Sequence, residues 1–291
     1  MKKTLIALAV AASAVVSGSA MAAWSTGGDF SGNVNIGGNI AAGNNSQNWV
    51  WAVGDGLDSF ANVLADLTSN GTKLIIPVND DKPILKGKTM QAYIPSSTGP
   101  AVAVPNIAFT DYEGASVTLT NPDGVTNSGK AYFVLPMKNA DGTKIGSVKV
   151  NASYAGVFAN GYPAGNSEVG TIISLWASNS GHLFNGGLPT NVSNSELKSG
   201  TAAAARTALF GSLSESEMLQ QIKALNPHIT ALTSRDNYSN SSNGVANDGS
   251  AVSAAYVLGI ATGQTIEATF DQAVTAATQW SAPLNIAVTY N

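Results

Sequence analysis

Between Asp29 and Ile40 every large apolar residue falls on an even position, as Phe30, Val34, Ile36 and Ile40. Gly32 and Gly38 share that phase, while Asp29, Ser31, Asn33, Asn35 and Asn39 on the odd phase are polar. A period of two is the repeat of a strand with one face buried. The segment is rich in glycine and has no tight hairpin joining it to the next apolar run. Such a strand either joins its own subunit's sheet or is offered to another molecule. The far end of the chain behaves alike: Trp280, Ala282, Leu284, Ile286, Val288 and Tyr290 lie on one phase. Two amphipathic terminal strands are the pattern expected of a sheet completed from outside.

Ahead of the first strand, Lys2 and Lys3, an apolar run from Leu5 to Val16 and the step Ala20-Met21-Ala22 read as a secretory signal cleaved after Ala22, with Ala23 the alternative that puts Met21 where a small residue is preferred. The apolar run is too short to span a membrane. With Lys2 and Lys3 gone, 14 basic residues become 12 against 18 acidic ones, a net charge of −6. Nucleic acid needs clustered Lys and Arg and is excluded as a partner. Charged residues are only 11 % of the chain, against roughly 25 % in ordinary soluble domains. Asn, Ser, Thr and Gly must then cover much of the surface, which suits a protein packed beside its own copies. The chain has no cysteine, so neither disulfides nor a thiolate metal site can hold it together.

Turn signals recur at Asn70-Gly71, Asp123-Gly124, Asp141-Gly142, Asn160-Gly161, Asn185-Gly186 and Asn243-Gly244. Short β-type runs between them predict a mainly antiparallel β-sandwich. The clearest hairpin joins Ala131–Met137 to Lys144–Ser153. Further strands are expected at Trp49–Val53, Thr72–Val78, Ala115–Thr120, Ala251–Ile260, Gln264–Phe270 and Leu284–Tyr290. Ala-rich Thr201–Phe210 reads as a helix, and Ser214–Leu225 as a second one. The latter has a Ser214/Glu217 capping box, an apolar stripe of Met218, Leu219, Ile222 and Leu225, and Pro227 as a stop. Asp236–Gly249 is polar and reads as an exposed loop. Residues from about 156 to 234 look like an insertion with short helices on a β scaffold.

Catalysis finds no support. His182 sits in a Gly/Asn-rich stretch and His228 follows Pro227, neither within a recognised catalytic motif. No enzyme activity, cofactor or metal is expected. An outer-membrane barrel fits poorly, because strand spacing is uneven, helices intervene and no aromatic girdle repeats.

The chain resembles the FaeG-type major fimbrial subunits of enterobacterial chaperone–usher fimbriae. The blocks that carry the resemblance are the leader MKKTLIALA, SGNVNIGGNI at Ser31–Ile40, WVWAVG at Trp49–Gly54 and IAFTDYEGASV at Ile107–Val117. They continue through Ala131–Phe158, Ser199–Ser214 and Val252–Tyr290. The resemblance implies an incomplete immunoglobulin-like sandwich, at 42–291, completed by donor-strand exchange. Residues 23–41 would be the donor-strand extension, with Phe30, Val34, Ile36 and Ile40 entering the groove of the next copy. Leu284, Ile286, Val288 and Tyr290 would form the edge strand that a periplasmic chaperone pairs with before an outer-membrane usher exchanges one strand for another. Thr278 stands where many related pilins have a glycine. The resemblance also implies an extracellular fimbrial location and attachment to host glycoprotein or glycolipid glycans. The implied receptor surface lies near Ser174-Leu175-Trp176, with Trp176 stacking on a galactose-type ring and His182, Phe184 and Asn185 following. The family's basic residue in this stretch is missing. Trp176 and Phe184 can equally be core residues of the insertion, and a purely structural surface coat without receptor binding is the alternative function.

Overall fold

Strict alternation along residues 145–152 gives way to an unbroken small and apolar run, Ala152 to Ala159, and that change marks where the sheet acquires a second covered face. The computed structural model describes residues 25–26, 30–33, 48–95, 103–190, 197–240, 242, 244 and 248–291, with backbone only for 25–26, 30–33 and 237–239. The expected signal peptide lies outside the described residues. In chain order the first strands are β1 (Ser25–Thr26), β2 (Phe30–Asn33), β3 (Trp49–Val53), β4 (Leu67–Thr68), β5 (Lys73–Pro77), β6 (Lys82–Thr89) and β7 (Pro105–Asp111). There follow β8 (Lys130–Asn139), β9 (Lys144–Gly161), β10 (Val169–Leu175) and the helices α1 (Gly200–Leu209) and α2 (Glu215–Leu225). The chain ends with β11 (Ala231–Asn240), β12 (Ala251–Ile260), β13 (Thr265–Phe270), β14 (Trp280–Ser281) and β15 (Leu284–Tyr290).

The fold is mainly β, and its large, mostly antiparallel sheet curls into a half-barrel, consistent with an incomplete immunoglobulin-like sandwich. The 18-residue β9 is the spine. Its first half pairs with β8 on one side and β13 on the other, and its second half pairs with β12 and β10. The large sheet runs β1-β3-β6-β12-β9-β13-β5-β4, and a second sheet runs β2-β15-β7. Between the layers, Val148, Val150, Ala152, Tyr154 and Phe158 of β9 join Trp49, Trp51, Tyr256, Leu258, Ile107, Phe109, Ile286 and Val288 in one core. A second core sits on the other face of β9 and β12, where Ala155, Val157, Ala159, Ala255 and Val257 meet Ala203, Phe210, Met218 and Ile222. Covered on both faces, β12 is buried at every position and so reads as a continuous apolar run.

Both helices form where the sequence predicts them. The Ser214/Glu217 capping box is made: Ser214 N–H donates to Glu217 Oε2 at 2.7 Å, and Glu217 N–H to Ser214 Oγ at 3.3 Å. At the other end Asn226 is buried and its Nδ2 donates to Gly161 O at 2.8 Å and Tyr162 O at 3.1 Å, tying α2 to the end of β9. Hydrogen bonds from Ser214 to the ionised form hold the Glu217 carboxyl below its usual 4.5. A lowered folded-state value contributes stability that is present above 4.5 and lost as pH falls through the folded value. Ser214→Ala is therefore expected to cost about 1 kcal/mol at neutral pH. Denaturant titrations near pH 7 and about pH 3 should show the gap from the parent narrowing in acid. A gap that does not change with pH would count against the cap.

Several expectations need correction. Ala115–Thr120 is not a strand but two isolated bridges, Thr110↔Ser116 and Thr120↔Tyr132. Asp111 Oδ1 accepts from Glu113 N–H at 2.8 Å and Ala115 N–H at 2.9 Å, which turns the chain too tightly for a ladder to propagate. The polar stretch from Asp236 is not all loop, since β11 runs to Asn240 in parallel register with β10. Backbone pairing there outweighs poor strand propensity. The strand does not stop near residue 156, because β9 continues unbroken to Gly161. The expected strand Leu284–Tyr290 is β15, on β7, and Pro283 separates it from the short β14, on β8.

Candidate functional site

Three features converge on β15. The first is its ladder. Leu284, Ile286 and Val288 are buried, as their phase predicts. One edge of β15 pairs antiparallel with β7, from Leu284↔Asp111 to Tyr290↔Pro105. The other edge pairs antiparallel with β2, through Asn285↔Asn33, Ile286↔Gly32, Ala287↔Ser31 and Val288↔Phe30. Even positions thus face even positions, and opposite residues of an antiparallel pair point to the same side. In the single chain, then, part of the amphipathic N-terminal segment lies on its own β15. Phe30 belongs to β2, while Val34, Ile36 and Ile40 lie outside the described residues. Tyr290, half-buried at the strand's end, accepts a hydrogen bond on its hydroxyl from Trp51 Nε1 at 2.8 Å.

The second feature is an open cavity of ≈ 760 Å³ beside the start of β15. Its lining includes Phe60, Leu135, Val150, Ile266, Trp280 and Leu284, with Asp58 as its carboxylate. Close-packed interiors leave few voids larger than one water, and this open space is far larger than that. A single carboxylate among apolar walls offers no acid–base pair. Among the described residues no cluster of three or more His, Asp or Glu could hold a metal ion.

The third feature is the loop after β10. Trp176 is half-buried and meets His182 edge-on, with centroids 5.9 Å apart and planes at 82°. Ser178 N–H donates to His182 Nδ1 at 3.2 Å, and Asn179 Nδ2 lies 3.3 Å from His182 Nε2. Phe184 is 0 % exposed and adopts φ +63°. It stands edge-on to Trp49 at 5.5 Å and packs on Tyr256 at 5.4 Å, so it is a core residue and offers no surface to a ligand. Asn185 is half-buried, accepts from Ile107 N–H on its carbonyl at 2.7 Å, and donates Nδ2 to Asn106 Oδ1 at 3.2 Å. Burial raises the hydroxyl pKa of Tyr256 well above its ordinary 10.0, and that hydroxyl donates to Gly187 O at 3.0 Å. Trp176, His182 and Asn185 are thus brought into one loop. Asn106 of β7 is hydrogen-bonded to it, and nothing in its sequence context sets it apart.

An exported-type chain with an incomplete sandwich, an edge that takes up an amphipathic strand and an apolar seat beside it defines a subunit built for assembly. The chain belongs to the family of fimbrial major and minor subunits, which it matches over residues 1–291. It is 61 % identical to K88 fimbrial protein AD of Escherichia coli over 291 residues, covering 100 % of both chains. It is 59 % identical to K88 fimbrial protein AB of Escherichia coli over 292 residues and 30 % identical to the F41 fimbrial protein of Escherichia coli over 299, again covering 100 % of each chain. The protein is an extracellular structural subunit that assembles with other copies of itself in an adhesive fimbria. No helix among the described residues is long and apolar enough to cross a membrane.

Proposed function

We propose that the subunit polymerises by donating its segment 24–41 into the groove beside β15 of the next copy, and that the filament binds host glycoprotein or glycolipid glycans. The observation that supports donation is the β2–β15 register. A strand continuing it one residue past Asn33↔Asn285 places Val34 opposite Leu284, with Ile36 and Ile40 to follow beyond the end of β15. Leu284 lines the apolar cavity, as do Ala282 and Thr278 ahead of β15. Burying Phe30, Val34, Ile36 and Ile40 at ~1.5–3 kcal/mol each is a gross gain of about 6–12 kcal/mol. An unfilled groove is an aggregation edge. Before assembly a periplasmic chaperone supplies the missing strand, and an outer-membrane usher replaces it with the donor. Trp176 and His182 provide the glycan surface, with Asn185 beside them. Phe184 supports that surface from the core.

A second reading has its own support, because the single chain already pairs β2 with its own β15. On that reading each copy closes its own sandwich and filaments form through outer faces. A cysteine pair decides between them. Ser31 and Ala287 are opposite each other, within the Cα separation that a disulfide spans, and the chain has no native cysteine. Oxidised filaments of Ser31→Cys/Ala287→Cys subunits are expected to run as a ladder of covalent multimers on non-reducing gels. Internally bonded monomers alone would overturn donation.

A further inference from the structure

The carbonyl of Ser180, on the exposed turn between Trp176 and His182, accepts two carboxamide hydrogen bonds from distant parts of the chain. Asn291 Nδ2 donates to it at 2.7 Å and Asn106 Nδ2 at 3.0 Å. Neither residue belongs to the loop. Asn106 lies in β7, opposite Thr289 of β15. Asn291 follows β15, and its backbone exchanges hydrogen bonds with Val104, N–H to carbonyl in both directions at 3.2 Å.

The loop is also laid along the outer edge of β7. Phe184 N–H donates to Pro105 O at 2.8 Å, Ile107 N–H to Asn185 O at 2.7 Å, and Asn106 bridges Asn185 in parallel register. The second sheet therefore continues past β7 into the loop, in the order β2-β15-β7 and then residues 184–185. Asn106 is suited to the junction. Its Nδ2 donates to both Val104 O and Ser180 O at 3.0 Å, and its Oδ1 accepts from Asn185 Nδ2, so both ends of the carboxamide are used.

We propose that Asn106 and Asn291 are positioning residues that seat the 178–185 loop, so that the Trp176–His182 surface is fully formed only while β15 is held in its sheet. The proposal rests on the receptor reading above. The physical link is short. A β15 without a strand on its other edge is freer to move, and Asn291 and β7 carry that movement to Ser180 and Asn185. Subunits with no strand on that edge would then present a loosened surface, and subunits in the filament an ordered one.

The test uses assembled filaments carrying Asn106→Ala together with Asn291→Ala, and separately the isosteric Asn291→Asp, which removes one exposed donor and spares the core. Hydrogen exchange of peptides covering 178–190 is expected to quicken by about tenfold in the double variant, with peptides from β12 unchanged. Binding to a glycan array should weaken in step, while Trp176→Ala filaments should lose binding without quickened exchange. Unchanged loop exchange in both Asn variants overturns the clamp. Quickened exchange with binding intact in all three variants, or parent filaments that bind nothing on the array, overturns the receptor reading and the functional half of this proposal with it.

Discussion

Subunits lacking residues 24–41 are expected to form no filaments, and the same segment placed after Asn291 through a short turn is expected to restore a stable monomer without restoring assembly. The first half follows from magnitude. The gross burial carried by Phe30, Val34, Ile36 and Ile40, about 6–12 kcal/mol, is as large as the whole stability of an ordinary domain, about 5–15 kcal/mol. Backbone ladder bonds add roughly 1 kcal/mol net apiece. Without that strand the cavity of ≈ 760 Å³ and the outer edge of β15 stand open to water. The second half follows from geometry. β2 runs antiparallel to β15 with Phe30 opposite Val288. A segment following Asn291 therefore needs only a hairpin-length connection to enter the same register. Its own groove filled in cis, and with no free extension to offer, such a subunit has nothing to donate and nowhere to accept. Electron microscopy of cells should show bare surfaces for both variants. Thermal melting should show a cooperative transition for the relocated form and none for the purified deletion. Normal filaments from the deletion, or a relocated form that melts no better than the deletion, would leave the groove without its assigned occupant.

The C-terminal strand was legible because it buries one face. Leu284, Ile286 and Val288 are dry and Ala287 lies between them, as a period of two requires. The β8–β9 hairpin and both helices were legible for the same reason, their apolar periodicity and caps being local signals. β6 was not anticipated, since Pro83 and Gly87 interrupt its pattern. Each is tolerated for a tertiary reason absent from the local sequence, as with Gly87 under the Trp51 ring. β10 and β11 owe their pairing to one another across the two intervening helices. Trp176 and Phe184 share a short stretch of aromatic sequence yet end in different environments. The difference arises from the left-handed turn at Phe184, which drives that ring among Trp49, Trp51 and Tyr256. Asn106 and Asn291 were invisible because a carboxamide declares its partner only in three dimensions. Periodicity reports which face is dry; it carries no record of which loop a polar side chain will hold.

The row Trp51–Gly87–Tyr256 crosses β3, β6 and β12, and filling its centre should be the most damaging single substitution. A Cβ built on Gly87 would lie 2.3 Å from Trp51 Cζ3 and 2.5 Å from Cε3. The indole cannot swing aside cheaply. It is 1 % exposed, lies 6.2 Å from both Phe184 and Tyr256, and donates its Nε1–H to Tyr290 at the end of β15. The backbone cannot shift freely either, because Ser212 Oγ donates to Gly87 O at 2.8 Å from the opposite face. Overpacking of this kind costs about 1–3 kcal/mol, and losing the indole hydrogen bond adds roughly 1 kcal/mol more. Gly87→Ala should therefore lower unfolding free energy by about 3 kcal/mol, and Gly87→Val should leave little folded protein. The cause can be separated from a general intolerance of side chains in β6. Trp51→Leu alone should be costly through the space it leaves, about 2–5 kcal/mol, but it also removes the ring that Gly87→Ala strikes. Adding Gly87→Ala to Trp51→Leu should then cost far less than adding it to the parent, a coupling of 1 kcal/mol or more in the double-mutant cycle. Strict additivity would show that the alanine acts elsewhere. Coupling of the expected sign would place the strain on the indole whose N–H links β3 to β15, the two strands that flank the donor's groove.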